Sequence, residues 1–154
     1  TLVCTVAEQS VLSVSIPGSV FGTNNAVRAI LDVGEFASES VSSVLLKANF
    51  GSTKPVASIM IRPAAGINFM TGKIEILAVG DGATNAQRVS LGVNLIRDTT
   101  DIPSSVLLVL RSFNTGTAAE DSNAAIVLGL TSRESDNDAT NRLQIATYVV
   151  EKIT

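Results

Sequence analysis

The chain has 154 residues, of which 45% are hydrophobic, 4% are aromatic and 16% are charged, and its formal net charge is −3. This length fits one domain with one hydrophobic core. The small negative charge, without any cluster of Lys or Arg, argues against a nucleic-acid partner. No apolar run approaches the ~20 residues of a membrane-spanning helix, so we expect no membrane partner either. The charged fraction is below the roughly 25% of an average soluble domain, which predicts that part of the surface is covered, for example by copies of the same chain.

The N-terminal residues 1–9 form a predicted strand or arm that precedes a single domain over residues 10–154. The chain begins with Thr1 and not with Met, from which we expect a fragment or a processed form. The apolar stretch 2–6 has the composition of a strand that adds itself to the sheet edge of a neighbouring subunit. Cys4 has no basic neighbour to activate its thiol, so we interpret it as a buried or terminal thiol and not as a nucleophile.

Apolar and polar residues alternate along most of the remaining chain, which is typical of half-buried β-strands. Turn-forming clusters rich in Gly, Pro, Asn and Asp separate these segments. No window has the 3.6-residue apolar period of a helix. In chain order, the predicted strands after the arm cover residues 12–16, 27–33, 44–50, 56–62, 70–78, 89–95, 106–110, 124–130 and 143–153.

About nine or ten strands at this regular spacing predict an all-β fold, a two-sheet antiparallel sandwich of jelly-roll type. We expect the long closing strand, residues 143–153, to lie centrally in its sheet. Residues 106–110 and 124–130 are apolar on both faces, which indicates strands that are covered on both sides. One of these sides is our candidate for an interface between subunits.

The sequence contains no histidine, which removes the commonest general base, the commonest zinc ligand and every Ser-His-Asp arrangement. Two carboxylate pairs remain for glycoside chemistry, Glu35 with Glu39 and Glu75 with Asp81, but we favour solvated charges for both. We therefore predict no catalytic residue. An enzyme that uses carboxylates alone stays an alternative.

Two short motifs have simpler interpretations than a binding site. Asp136, Asn137 and Asp138 resemble part of a calcium loop but lack its glycine and its downstream Glu. Gly80, Asp81 and Gly82 lie between predicted strands, whereas a phosphate-binding loop opens a helix, so we predict a hairpin turn. We expect no metal-binding or cofactor-binding residue and no cofactor. The scarcity of aromatic residues argues against sugar binding by ring stacking and leaves binding through polar loops open.

Two segments carry a family resemblance. The first runs from Ser15 to Arg28 and reads SIPGSVFGTNNAVR, and the second runs from Gly82 to Gln87 and reads GATNAQ. The pair resembles a jelly-roll module of tailed-phage virion proteins, in which a pattern IPxxxxGTNNAxR is followed by a turn GATNxQ. The resemblance covers roughly residues 10 to 97. It implies a location in the virion and residues that define the scaffold, and no functional residue is carried over from it.

The resemblance leads to a first hypothesis of a non-enzymatic virion structural protein, a homotrimer that decorates a capsid or forms the head of a fibre. Its expected partners are other copies of the chain and a capsid or fibre protein. The alternative is a receptor-binding or carbohydrate-binding tip domain of a phage fibre or a surface adhesin. In that case the loops at residues 98–103 and 132–141 would contact a host-surface receptor.

Overall fold

The computed structural model of the chain describes residues 2–3, 7–18, 20–37, 43–61, 70–97, 109–135 and 142–153. Within these ranges every regular element is a β-strand, which confirms the prediction of an all-β fold. In chain order the strands are β1 (Leu2–Val3), β2 (Gln9–Ile16), β3 (Ala26–Ala37), β4 (Val44–Phe50), β5 (Thr53–Ile61), β6 (Met70–Gly80), β7 (Gln87–Arg97), β8 (Val109–Ala118), β9 (Ile126–Glu134) and β10 (Arg142–Ile153).

The strands form two antiparallel sheets that pack face to face. The six-stranded sheet has the order β1-β10-β3-β6-β7-β8, and the four-stranded sheet has the order β2-β9-β4-β5. If β7 and β8 are set aside and the other eight strands are renumbered, the orders become 1-8-3-6 and 2-7-4-5. This is the connectivity of a jelly roll, as predicted. β7 and β8 extend one sheet beyond the basic fold.

The core lies between the two sheets because each strand turns apolar side chains inward at alternate positions. On β3, for example, Val27, Ala29 and Leu31 are buried while the residues between them are half-buried. The rings of Phe21 and Phe50 meet edge to face, with their centroids 5.2 Å apart. Phe21 belongs to the connection between β2 and β3, so this loop is anchored in the core.

β8 differs most from its predicted position. The apolar run at residues 106–110 predicted the strand, but β8 spans Val109–Ala118 and is largely polar, while residues 106–108 lie outside the described residues. β8 pairs with β7 along its whole length. Val109 and Leu110, the last two residues of the apolar run, are the first two residues of β8, so the described strand overlaps the predicted one only at its start.

β10 lies next to the edge of its sheet and not at its centre. It pairs with β3 along its length, and on its other side the pairing with β1 among the described residues is at Arg142 and Leu143. The predicted central position is therefore correct only at these two residues. Leu2 and Val3 pair here with their own chain, and the addition of the arm to a neighbouring subunit stays a prediction.

Candidate functional site

The two segments that carry the motif resemblance contact each other at one end of the sandwich. The Gly82 amide donates a hydrogen bond to the Thr23 carbonyl oxygen at 3.0 Å, and the Gly80 amide donates to the Asn25 carbonyl oxygen at 2.9 Å. A Cβ atom at Gly80 would lie 2.7 Å from the Thr23 carbonyl oxygen, so no larger residue fits without movement of the backbone. The motif residues thus hold the β2–β3 loop against the β6–β7 turn.

A buried amide, Gln87, joins the β6–β7 turn to the loop between β8 and β9. Its Nε2 donates to the carbonyl oxygens of Thr84 and Glu120, at 3.1 and 2.8 Å, and its Oε1 accepts from the Glu120 amide at 2.9 Å. The Ser122 hydroxyl in the same loop donates to the Gly22 carbonyl oxygen at 2.9 Å. Since these bonds satisfy the buried amide of Gln87, we assign this last residue of the second motif a structural role.

Glu120 holds the β4–β5 turn against the same loop. One carboxylate oxygen accepts hydrogen bonds from the Ser52 amide and hydroxyl, at 2.8 and 2.7 Å, and from the Thr53 amide at 3.0 Å. The Ser52 hydroxyl and these amides stabilise the charged form, which lowers the pKa of Glu120 below its ordinary value. Sequence reasoning missed this contact because Glu120 and Ser52 are far apart in the chain.

The predicted carboxylate pairs do not form a catalytic pair where the structure describes them. Glu75 lies in the middle of β6 and Asp81 follows its end, so six residues of extended chain place them roughly 20 Å apart. Asp81 instead accepts a hydrogen bond from Arg88 at 3.2 Å. Glu35 is half-buried on β3, and Glu39 lies outside the described residues.

The predicted hairpin turn at Gly80, Asp81 and Gly82 is confirmed. Gly80 pairs with Gln87 as the last pair of β6 and β7, and the Asp81 amide donates to the Ala86 carbonyl oxygen at 2.8 Å. Gly82 has φ 81°, in the left-handed region that glycine favours. This geometry is that of a strand connection.

Several predicted residues lie outside the described residues. These are Cys4, Glu39, residues 98–103, and residues 136–141, which include Asp136, Asn137 and Asp138. In the described part of the chain, no three His, Cys, Asp or Glu residues are grouped so that they could hold a metal ion. Within the same ranges, no helix has the length and apolar character needed to cross a membrane.

One long side of the sandwich, which we name the closed seam, is formed by β5 and β8. The Asn114 side-chain amide on β8 donates to the Ser58 carbonyl oxygen on β5 at 2.7 Å. Two residues further on, a Cβ atom at Gly116 would lie only 1.8 Å from the Val56 carbonyl oxygen. The two sheets are therefore in backbone contact here, and the glycine makes this contact possible.

The opposite long side, which we name the open seam, is formed by β10. The four-stranded sheet is narrower than the six-stranded sheet, and β5 lies beneath β7 and β8. Among the described residues, the uncovered width therefore falls at the β10 side. Tyr148 pairs with the buried Leu31, which puts both on the inner side of the sheet, yet Tyr148 is 54% exposed. Val149 on the outer side is 55% exposed, and Ile153 is also exposed.

An ion pair flanks the open seam. Arg28, the last residue of the first motif, donates from Nε to the Glu151 carboxylate at 2.7 Å and also from Nη2. This hydrogen-bonded carboxylate raises the pKa of Arg28. The pair joins β3 to β10 and leaves the apolar residues of β10 at the edge uncovered.

The two predicted subunit interfaces have different surroundings in the single chain. In residues 124–130, Ile126, Leu128 and Leu130 are part of the core, and Val127 is 45% exposed on the outer face. In residues 106–110, Val109 is exposed and Leu110 packs against the core. One side of each described segment is therefore covered by the chain itself, and contact of the other side with a subunit stays a prediction.

A depression of about 450 Å³ lies on the outer face of the six-stranded sheet, over β6, β7 and β8. Its volume is within the range of small-molecule sites. Gly92 on β7 pairs with Glu75 on β6 and with Phe113 on β8, so it separates a carboxylate from an aromatic ring. The lining of the depression includes Lys73, Glu75, Gly92, Asn94, Arg111 and Phe113.

Comparisons of the chain with protein-family models, with curated proteins and with solved structures found no match. The resemblance to phage virion modules therefore stays a prediction that rests on the two sequence motifs.

Proposed function

We propose that this chain is a non-enzymatic structural protein of a virion, a homotrimeric jelly-roll module that decorates a capsid or forms a fibre head. The observation that carries the assembly part is the open seam, where Tyr148, Val149 and Ile153 are exposed together on one strand. Beyond Leu143 the edge of β10 has no pairing strand among the described residues, and an unpaired edge with exposed apolar side chains is a site at which another chain can associate.

The composition supports the same proposal. A chain with 16% charged residues presents little charge to solvent, and permanent oligomers bury large interfaces that are enriched in apolar residues. A trimer requires a head-to-tail contact, in which the open seam of one copy meets a different surface of the next copy and the ring closes at three. The location in a virion is supported by the two sequence motifs alone.

The solution mass tests the assembly part. Light scattering coupled to size exclusion should give three times the chain mass of 16.0 kDa, and this value should persist on dilution. A clean monomer would contradict the proposed oligomer. The location requires a second experiment, because a trimer can serve many purposes.

Immunogold electron microscopy with antibodies against this chain tests the location directly. Gold particles on the capsids or fibres of purified virions from the source of this sequence would support the proposal. Labelling that is confined to host material would contradict it.

A receptor-binding or carbohydrate-binding tip domain is the second candidate function. The observation that favours it is the depression over β6, β7 and β8, which combines charged and amide side chains with the exposed ring of Phe113. Small-molecule sites commonly combine an apolar surface with a few polar groups in this way.

A further inference from the structure

We propose that the depression over β6, β7 and β8 binds a neutral pyranose sugar that stacks on Phe113. The inference deepens the second candidate function and is independent of the proposed trimer. Phe113 is 72% exposed, the highest value among the large hydrophobic side chains of the described residues. An exposed aromatic ring offers a flat apolar surface on which a ring-shaped ligand can stack.

Gly92 makes room for a flat ligand beside this ring. A Cβ atom at Gly92 would meet Phe113 Cδ2 at 3.9 Å and the Glu75 carbonyl oxygen at 4.0 Å, which are ordinary van der Waals distances. The packing of the chain therefore does not require glycine at this position. Because Gly92 has no side chain, the floor of the depression is open next to the Phe113 ring. The apolar face of a pyranose has the shape to occupy such a floor.

The rim of the depression carries hydrogen-bond donors and acceptors together. Arg111 Nε donates to Asn94 Oδ1 at 3.3 Å, and Lys73 Nζ lies 3.8 Å from the Asp32 carboxylate. Glu75 supplies a further carboxylate to the lining. Sugar hydroxyls both donate and accept, so such a mixed rim suits them. The rim carries two cations, Lys73 and Arg111, and two carboxylates, so its charges balance and it suits a neutral sugar better than a phosphate or a carboxylate.

The surroundings of β8 exclude an extended peptide as the occupant of its edge. β5 already covers this edge at the closed seam, where Asn114 bonds to Ser58 and Gly116 faces Val56. The depression also lies away from the open seam, because three strand spacings from β10 to β7 amount to roughly 14 Å. A bound sugar and a neighbouring subunit at β10 would therefore use different parts of the sheet.

A glycan array that carries neutral and acidic oligosaccharides tests this inference with the full chain. Protein-observed NMR follows, with the methyl glycosides of glucose, galactose, mannose and N-acetylglucosamine as neutral probes and glucuronic acid as the acidic probe. We expect binding to at least one neutral glycan, with shifts of the Gly92 and Phe113 amide signals. The affinity should fall about tenfold or more in Phe113→Ala and in Gly92→Val, which remove the ring and fill the floor.

Met60→Ala is the matched control, because Met60 is also an exposed large apolar residue but belongs to the four-stranded sheet. We expect it to bind as the wild type does. Unchanged melting temperatures in all three variants would show that the loss is local. The inference is overturned by the absence of glycan binding, by binding to acidic glycans alone, or by equal affinities of the wild type, Phe113→Ala and Gly92→Val. The solution mass decides the trimer separately, so either proposal can fail alone.

Discussion

The two long sides of the sandwich differ in whether the outer strand of the six-stranded sheet is covered. At the closed seam, Asn114 donates to the Ser58 carbonyl oxygen and Gly116 lets the backbone of β8 touch that of β5. At the open seam, β10 has no partner strand beyond Leu143 among the described residues, and Tyr148 and Val149 are more than half exposed. Both sides belong to the same six-stranded sheet, but within the described part of the chain only one of them is covered by another strand.

The difference indicates where a partner can add to this molecule. The six-stranded sheet is wider than the four-stranded sheet, so part of its inner face is not covered by the other sheet. Because β5 contacts β8 at one side, the uncovered part lies at β10 on the other side. The chain places glycine and a hydrogen-bonding amide at the side that it closes, and large apolar side chains at the side that it leaves open. An unpaired strand edge with exposed apolar side chains is a site at which another chain can associate. The comparison therefore supports the open seam as the site of self-association.

Disruption of the closed seam should lower the free energy of unfolding the most. In Gly116→Ala the added Cβ would overlap the Val56 carbonyl oxygen at 1.8 Å, and backbone cannot rotate away as a side chain can. We expect the free energy of unfolding to fall by about 3 kcal/mol, as measured by urea denaturation. Gly92→Ala is the control on the same sheet and should be close to neutral. Equal stabilities of the two variants would show that β5 and β8 do not need this close contact.

A charge at the open seam should disrupt assembly without unfolding the chain. Val149→Lys places an ammonium group at the proposed interface, where its desolvation should weaken association about a hundredfold. Light scattering over a dilution series measures this change. Val127→Lys is the matched control, because Val127 has a similar exposure on the other sheet. If Val127→Lys dissociates the oligomer and Val149→Lys does not, the interface is at residues 124–130, as the sequence alone suggested.

Glu120 should make the contact between the β4–β5 turn and the β8–β9 loop sensitive to acid. Its folded-state pKa lies below the ordinary 4.5 because of hydrogen bonds from Ser52 and Thr53. Its contribution is therefore present above pH 4.5 and is lost as the pH falls through the lower folded-state value. Glu120→Gln should reduce the free energy of unfolding by about 1 kcal/mol at neutral pH. The deficit should shrink in acid, as measured by urea denaturation at several pH values. If the loss in free energy of unfolding were independent of pH, the charge of the Glu120 carboxylate would not be what stabilises the turn.

The smallest effect concerns the hydrogen bond between the sheets. Asn114→Ala removes the donor to the Ser58 carbonyl oxygen, and we expect a loss of about 0.5 kcal/mol because the bond is exposed to water. Hydrogen exchange should show faster opening of β5 and β8 and unchanged exchange of β3 and β10. Asn94→Ala, which removes an exposed side-chain bond to Arg111 on the same sheet, is the control and should leave β5 unchanged. A similar response of both variants would argue against a specific role for Asn114.

There is a physical reason why the sequence did not predict the depression. The scarcity of aromatic residues argued against ring stacking, whereas the proposed site requires a single exposed ring. Phe113 lies in the polar segment of β8, and none of its neighbours along the chain indicates which residue lies beside its ring. Its partner across the sheet is Gly92, 21 positions away, and only the register of β7 with β8 brings the two together.

The alternation of apolar and polar residues by itself determined most of the strands, with β8 as the exception, because a strand that is covered on one face must repeat with a period of two. Together with the turn-forming clusters it also determined the all-β sandwich and the hairpin at Gly80 and Gly82. Only the tertiary structure decided which strands lie at the edges and which long side stays open. It also decided which residues donate hydrogen bonds to Glu120. Edge position and loop contacts depend on backbone pairing between distant segments, and local side-chain patterns do not encode that pairing.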